Sequence, residues 1–155
     1  MGRFWKWLWR RRQAEAARVL PPATVSEASG RWGEGVAGRW LERLGWRVIE
    51  RNARPCLADR RLEIDLIAFV PQRRTVVFVE VKTHRRRSAY ASRLWAVDGR
   101  KKRNLLRACG CWLRCSRWHG GFRFDVIEVY GVPGGESEID HVENVPLFPP
   151  RWRFW

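Results

Sequence analysis

Apolar residues in the first half of the chain follow two rhythms. Trp32, Val36, Trp40 and Leu44 recur at every fourth position, with Ala37 and Leu41 beside them, which predicts an amphipathic helix. Ser26 stands where such a helix is capped and Gly45 where it stops. From Trp46 to Asn52 the pattern predicts a strand, followed by a loop from Arg54 to Arg60 around Pro55. Residues 62–69 and 75–82 predict two more strands, and Pro71-Gln72-Arg73-Arg74 between them predicts a hairpin turn. Side chains along a strand alternate faces. Glu63 and Asp65 therefore share one face of the first hairpin strand. Glu80 and Lys82 share one face of the second, and Val77, Val79 and Val81 fill the other.

A basic loop, Thr83 to Ser88, is expected next. A second helix is predicted from an Asp98 cap to Cys115 or Ser116, with Leu105, Cys109, Trp112 and Leu113 as its apolar face. Lys101 and Lys102 lie one turn earlier on roughly that face, so at least one is expected to point at the sheet. Phe122 to Tyr130 reads as a further strand, Gly131 to Gly135 as a turn, and Ile139 to Val145 as a last short strand. No run approaches the roughly 18 apolar residues of a spanning helix.

Length and charge narrow the class. The 155 residues suit one domain with tails: a basic, Trp-rich extension over 1–25, a domain over 26–148 and a short tail over 149–155. A net charge of +15 points to a polyanionic partner. Yet only four of the 31 basic residues are lysines (Lys6, Lys82, Lys101 and Lys102), and a broad Arg excess fits a GC-rich coding background. A lysine kept in such a background marks a place where a compact point charge serves and a planar fork does not. The tails read as appendages, as nucleobase-stacking segments or as membrane-surface segments, and the last is not expected. Four cysteines without a CxxC pair read as reduced thiols of a cytoplasmic protein.

Three acids and a lysine on adjacent valine-rich strands are the unusual feature, because charge there is costly unless paired or bound to metal. One reading is structural: the acids pair with neighbouring arginines. The other is a metal-dependent phosphodiesterase site. Asp65 and Glu80 would supply hard carboxylate ligands to Mg²⁺ or Mn²⁺. Glu34 would add a carboxylate from the first helix, directly or through water, with Glu63 as accessory. Lys82 would orient or deprotonate the attacking water. Lys101 is a second accessory candidate. Arg85, Arg86 and Arg87, with Lys101 and Lys102, are candidates for gripping nucleic-acid phosphates, against a plain solvated loop.

The order of motifs resembles a known family. It runs Gly33-Glu34, Ala37 and Trp40-Leu41; Gly45-Trp46-Arg47-Val48-Ile49 and Asn52; Glu63-Ile64-Asp65-Leu66-Ile67; Val77-Phe78-Val79-Glu80-Val81-Lys82; Ala96-Val97-Asp98 with Lys101; and Arg123-Phe124-Asp125-Val126. This series is similar to the YraN-like bacterial family, related to Holliday-junction resolvases and the restriction-endonuclease-like superfamily, over about residues 30–148. The resemblance implies an α/β restriction-endonuclease-like fold, a mixed central β-sheet flanked by helices. It implies a D…E-x-K site on Asp65, Glu80 and Lys82, with Glu34 upstream, and a Mg²⁺-dependent endonuclease acting on DNA, branched or damaged DNA among the candidates. A homodimer is a further implication. This chain has Leu62 where the family has glycine. The rival from another class is a nucleic-acid-binding module of the same fold without hydrolysis.

Overall fold

The computed structural model describes residues 25–56, 58–59, 61–87 and 99–152, with side chains from residue 28. Elements run α1 (Val25–Arg43), β1 (Arg47–Ala53), β2 (Ile64–Val70), a 3-10 turn (Pro71–Arg73), β3 (Thr75–His84), α2 (Gly99–Ser116), β4 (Gly121–Gly131) and β5 (Ser137–Val142). The five strands form one mixed sheet in the order β1-β2-β3-β4-β5. Only β3 and β4 run parallel, and α2 lies in the connection between them. The other three pairings are antiparallel.

Period-two alternation sorts the core into two layers. Val76 and Phe78 face α2, where Leu105, Cys109, Trp112 and Leu113 meet them. Val77 and Val79 face the other way, onto Val36, Ala37 and Leu41 of α1. Among the described residues one helix thus covers each face of the sheet, and β3, its middle strand, is buried on both. The α/β class and the mixed sheet are as the resemblance implied.

Several boundaries move for identifiable reasons. α1 already includes Ser26, so this residue lies in the first described turn and not at a cap. The helix stops where expected: Gly45 takes φ +78°, and Trp46 N–H bonds back to Leu41 O. Leu44, the last of the four-residue series, is 42% exposed because the helix has ended before it. β2 starts at Ile64, not at 62, because Leu62 N–H closes a turn onto Asp59 O. Leu62 is nevertheless fully buried beneath α2. β3 runs two residues past Lys82: Thr83 and His84, expected in a loop, pair in parallel with Val129 and Tyr130. The last strand ends at Val142, three residues short of Val145. The Asp98 cap lies outside the described residues. Trp152, beyond the expected domain end at 148, packs with centroids 5.0 Å from Phe148 and 5.9 Å from Phe122.

α1 meets the sheet closely at one point. A Cβ on Gly33 would collide with Thr83 Oγ1 and stand 3.2 Å from Thr83 Cβ, whereas one on Gly30 would meet nothing. Glycine therefore costs helix propensity at Gly30 with no packing return. We expect Gly30→Ala to stabilise by about 0.5–1 kcal/mol and Gly33→Ala to destabilise by about 1–2 kcal/mol through overpacking. Urea unfolding of the two variants checks this; equal effects would refute the close approach.

Candidate active site

The site is built where β2 and β3 part. Their last paired residues are Leu66 and Val79, so the next residues outward on each strand are Asp65 and Glu80. Past that point Asp65 replaces the ladder with its side chain: Val81 N–H donates to Asp65 Oδ2 at 2.7 Å. Both acids lie on the α2 face, in line with Ile67 and Phe78. Glu80 is only 3% exposed.

Cations answer this buried charge. Lys82 Nζ donates to Glu80 Oε1 at 2.6 Å, and Lys101 Nζ of α2 donates to the same oxygen. Lys101 therefore does point at the sheet, as its helical position predicted. Burial works against its charge, but Glu80 and Asp65 outweigh burial and raise its pKa. Lys102, next along the helix, is exposed.

Asp65 carries the largest electrostatic load. Burial first, then the Glu80 charge, push its carboxyl from the ordinary 3.8 up to about 7, against the Val81 amide and Lys101. Glu34 raises it further from the α1 side, so the three acids feel one another. Glu34 itself is raised, by burial, against a hydrogen bond from Asn52.

That bond is a contact the sequence reading did not anticipate. Asn52 Nδ2 donates to Glu34 Oε2 at 2.7 Å, and Arg51 Nη1 donates to Glu34 O at 3.2 Å. Asn52 has φ +48°, a left-handed conformation that Asn tolerates well. The pairs on either side, Arg51 with Leu66 and Ala53 with Ile64, put Asn52 opposite Asp65. Its placement on a predicted strand before a loop was the only available signal. Glu63 lies just before β2, and Arg54 Nε and Nη2 donate to its Oε2 at 3.2 and 2.8 Å. An acid that the sequence reading did not single out is Glu128, across from Lys82 on β4; it is buried and accepts the Tyr130 hydroxyl at 2.5 Å. Burial and Glu128 push the Tyr130 hydroxyl up to about 12.

The basic run after β3 divides. Arg87 is committed to β5: Nη2 donates to Asp140 Oδ1 at 2.7 Å, and the guanidinium lies 4.9 Å from the Tyr130 ring centroid. Arg85 and Arg86 are exposed, with no ion pair among the described residues.

The donor set suits a hard divalent cation. Among the described residues no three His, Cys, Asp or Glu side chains form a group placed to hold a metal. The site instead offers Asp65 and Glu80, both with hard oxygens, and Mg²⁺ needs few protein ligands because it keeps several waters. Glu34 stands off, held by Asn52. None of the described helices is long and apolar enough to cross a membrane.

Comparison with known proteins agrees with the motif order. The family model described as "Uncharacterised protein family UPF0102" matches residues 33–129. A UPF0102 protein of Pelobacter propionicus is 36% identical over 138 residues, covering 86% of this chain and 95% of that protein. One of Mycobacterium sp. strain JLS is 42% identical over 132 residues, covering 83% and 93%. One of Pseudomonas fluorescens is 35% identical over 121 residues, covering 77% and 93%.

Proposed function

The chain belongs to the UPF0102 family, the YraN-like family its motifs resemble, and we propose that it is a Mg²⁺- or Mn²⁺-dependent endonuclease of the restriction-endonuclease-like fold that hydrolyses DNA phosphodiester bonds. One observation carries the reading: a hairpin that opens at Asp65 and Glu80, with Lys82 two residues on and bonded to Glu80. Two acids held this close, one pushed up to about 7 by burial first and by Glu80 second, favour a site that receives a cation over a plain ion-pair cluster. A divalent cation bound there would neutralise both carboxylates.

Asp65 and Glu80 would hold the cation, which when bound polarises the scissile phosphate and acidifies a water. The chain's own residues do the rest. The Val81 amide fixes one Asp65 oxygen and so orients the other. Lys82, anchored on Glu80, orients the attacking water, and takes up its proton only as the neutral amine, once its own proton has been released to solvent. Lys101 adds positive charge where the phosphorane builds negative charge. Glu34 reaches the site through water, its carboxylate held by Asn52.

Arg85 and Arg86, just past the end of β3, and Lys102, next to Lys101 on α2, are exposed positive charges that suit phosphate contacts. If the three neutralise about three phosphates, DNA affinity in chelator falls roughly 40-fold between about 50 and 200 mM salt. A titration flat over that range would refute the contact surface. Cleavage assays on junction, flap, single-stranded and duplex DNA with Mg²⁺ or Mn²⁺ test the activity itself. Tight binding without cleavage under every condition would favour the binding-module reading, for which the double neutralisation of Glu80 by lysines is the supporting observation.

A further inference from the structure

Both ammonium groups at the site sit on one oxygen. Lys82 Nζ and Lys101 Nζ each donate to Glu80 Oε1. Glu80 is 3% exposed, and a carboxylate so buried is costly unless a counter-charge stays with it. The two lysines are held differently. Lys82 is on β3 itself, two residues from Glu80, in a strand paired along its whole length with β4. Lys101 comes from the first turns of α2, and its side chain is 46% exposed against 32% for Lys82. An exposed lysine on a helix surface reaches water by a simple change of rotamer.

We propose that Lys101 is a built-in substitute for the divalent cation: it neutralises Glu80 while the site is empty of metal, and it gives up that oxygen when a metal ion enters. The proposal rests on the metal-dependent reading above and adds to it a competition between one side chain and the cofactor. A cation approaching Asp65 and Glu80 meets an oxygen already carrying two positive partners. Coulomb repulsion forbids keeping both at contact, and the lysine with the shortest route to solvent is the one displaced. The displaced ammonium remains within a side-chain length of the centre, where it can meet the substrate's phosphate. Metal loading and phosphate capture would then be coupled through a single side chain. The protein would bind its cation weakly when alone and more firmly once DNA gives Lys101 another anion.

The test is metal affinity of the full chain without DNA, by isothermal titration of Mg²⁺ and by the paramagnetic resonance signal of free Mn²⁺. Lys101→Met keeps the stem and removes the charge. It is expected to bind either ion about tenfold more tightly or better, the loss of one competing ion pair. Lys101→Arg keeps a charge and is expected to stay weak. An oligonucleotide with a non-cleavable linkage should tighten Mn²⁺ binding by a larger factor in the natural sequence than in Lys101→Met. Equal or weaker metal binding by Lys101→Met overturns the competition while leaving the metal site intact. Failure of every form to bind either ion overturns the metal site, and the competition with it. Circular dichroism melts confirm that the half-exposed substitution leaves the fold in place.

Discussion

If the chain is the proposed nuclease, Asp65→Ala, Glu80→Ala and Lys82→Ala are each expected to lower the rate of DNA cleavage by about 10²–10³-fold, the usual loss when one preorganised charge is removed from a transition state. The three should not multiply. In the proposed site Asp65 and Glu80 serve one cation, and Lys82 is anchored on Glu80, so removing any of them dismantles the same unit. A double Asp65→Ala, Glu80→Ala variant is therefore expected to fall little below either single one. Lys82→Arg is the sharper probe. Arginine keeps the charge but cannot release a proton near neutral pH. If Lys82 moves a proton, Lys82→Arg stays inactive; if it only supplies charge, activity returns. Single-turnover cleavage with saturating Mn²⁺ separates these cases. Full activity in both Asp65→Ala and Lys82→Ala would remove the assignment altogether.

Asp65→Asn is expected to make the protein in chelator more stable at pH 8 and to leave it nearly unchanged at about pH 3. The sign follows from the acid's two environments. Its folded pKa, about 7, lies above its ordinary 3.8. Below about pH 4 both folded and unfolded chains hold the proton, and the group contributes no difference. Between about 4 and 7 the unfolded chain releases the proton first, so folding loses stability as pH rises. Above about 7 the penalty is constant, with an upper bound of about 4 kcal/mol for three pKa units. Asparagine removes the charge and keeps an oxygen for the Val81 amide. Urea unfolding in chelator across this range reads the difference directly. A gap between the two forms that does not grow with pH would mean that Asp65 is not strained by its neighbours.

What was legible in the sequence was mostly local. Val77 and Val79 could be placed opposite Glu80 because alternation is a property of one strand, and the hairpin could be read because its turn residues lie between its strands. Lys101 was readable because helical periodicity fixes a face. What escaped depended on residues distant in sequence. Asn52 reaches Glu34 across 18 positions, through a left-handed backbone that no pattern announces. Thr83 and His84 look like loop, and become strand only because β4 lies beside them. Asp125 shows the same limit. It is fully buried, and its partners include Arg123 two residues away but also His141 at 2.9 Å and the Asn144 amide at 2.8 Å, far along the chain. A sequence displays the charge of such a residue and conceals what surrounds it.

The pairing of strands also sets an order of events. Leu66 and Val79 meet across a short local turn, whereas Thr75 meets Gly121 only after α2 has been laid down between their strands. Local closures are fast and distant ones slow. The two acids and Lys82 are therefore expected to come together early in folding, while Lys101, the second lysine on Glu80, arrives with α2 at a late stage. During that interval Lys82 alone answers the two acids at the open end of the hairpin, and a divalent ion in the surrounding solution is free to take the second place before the helix does.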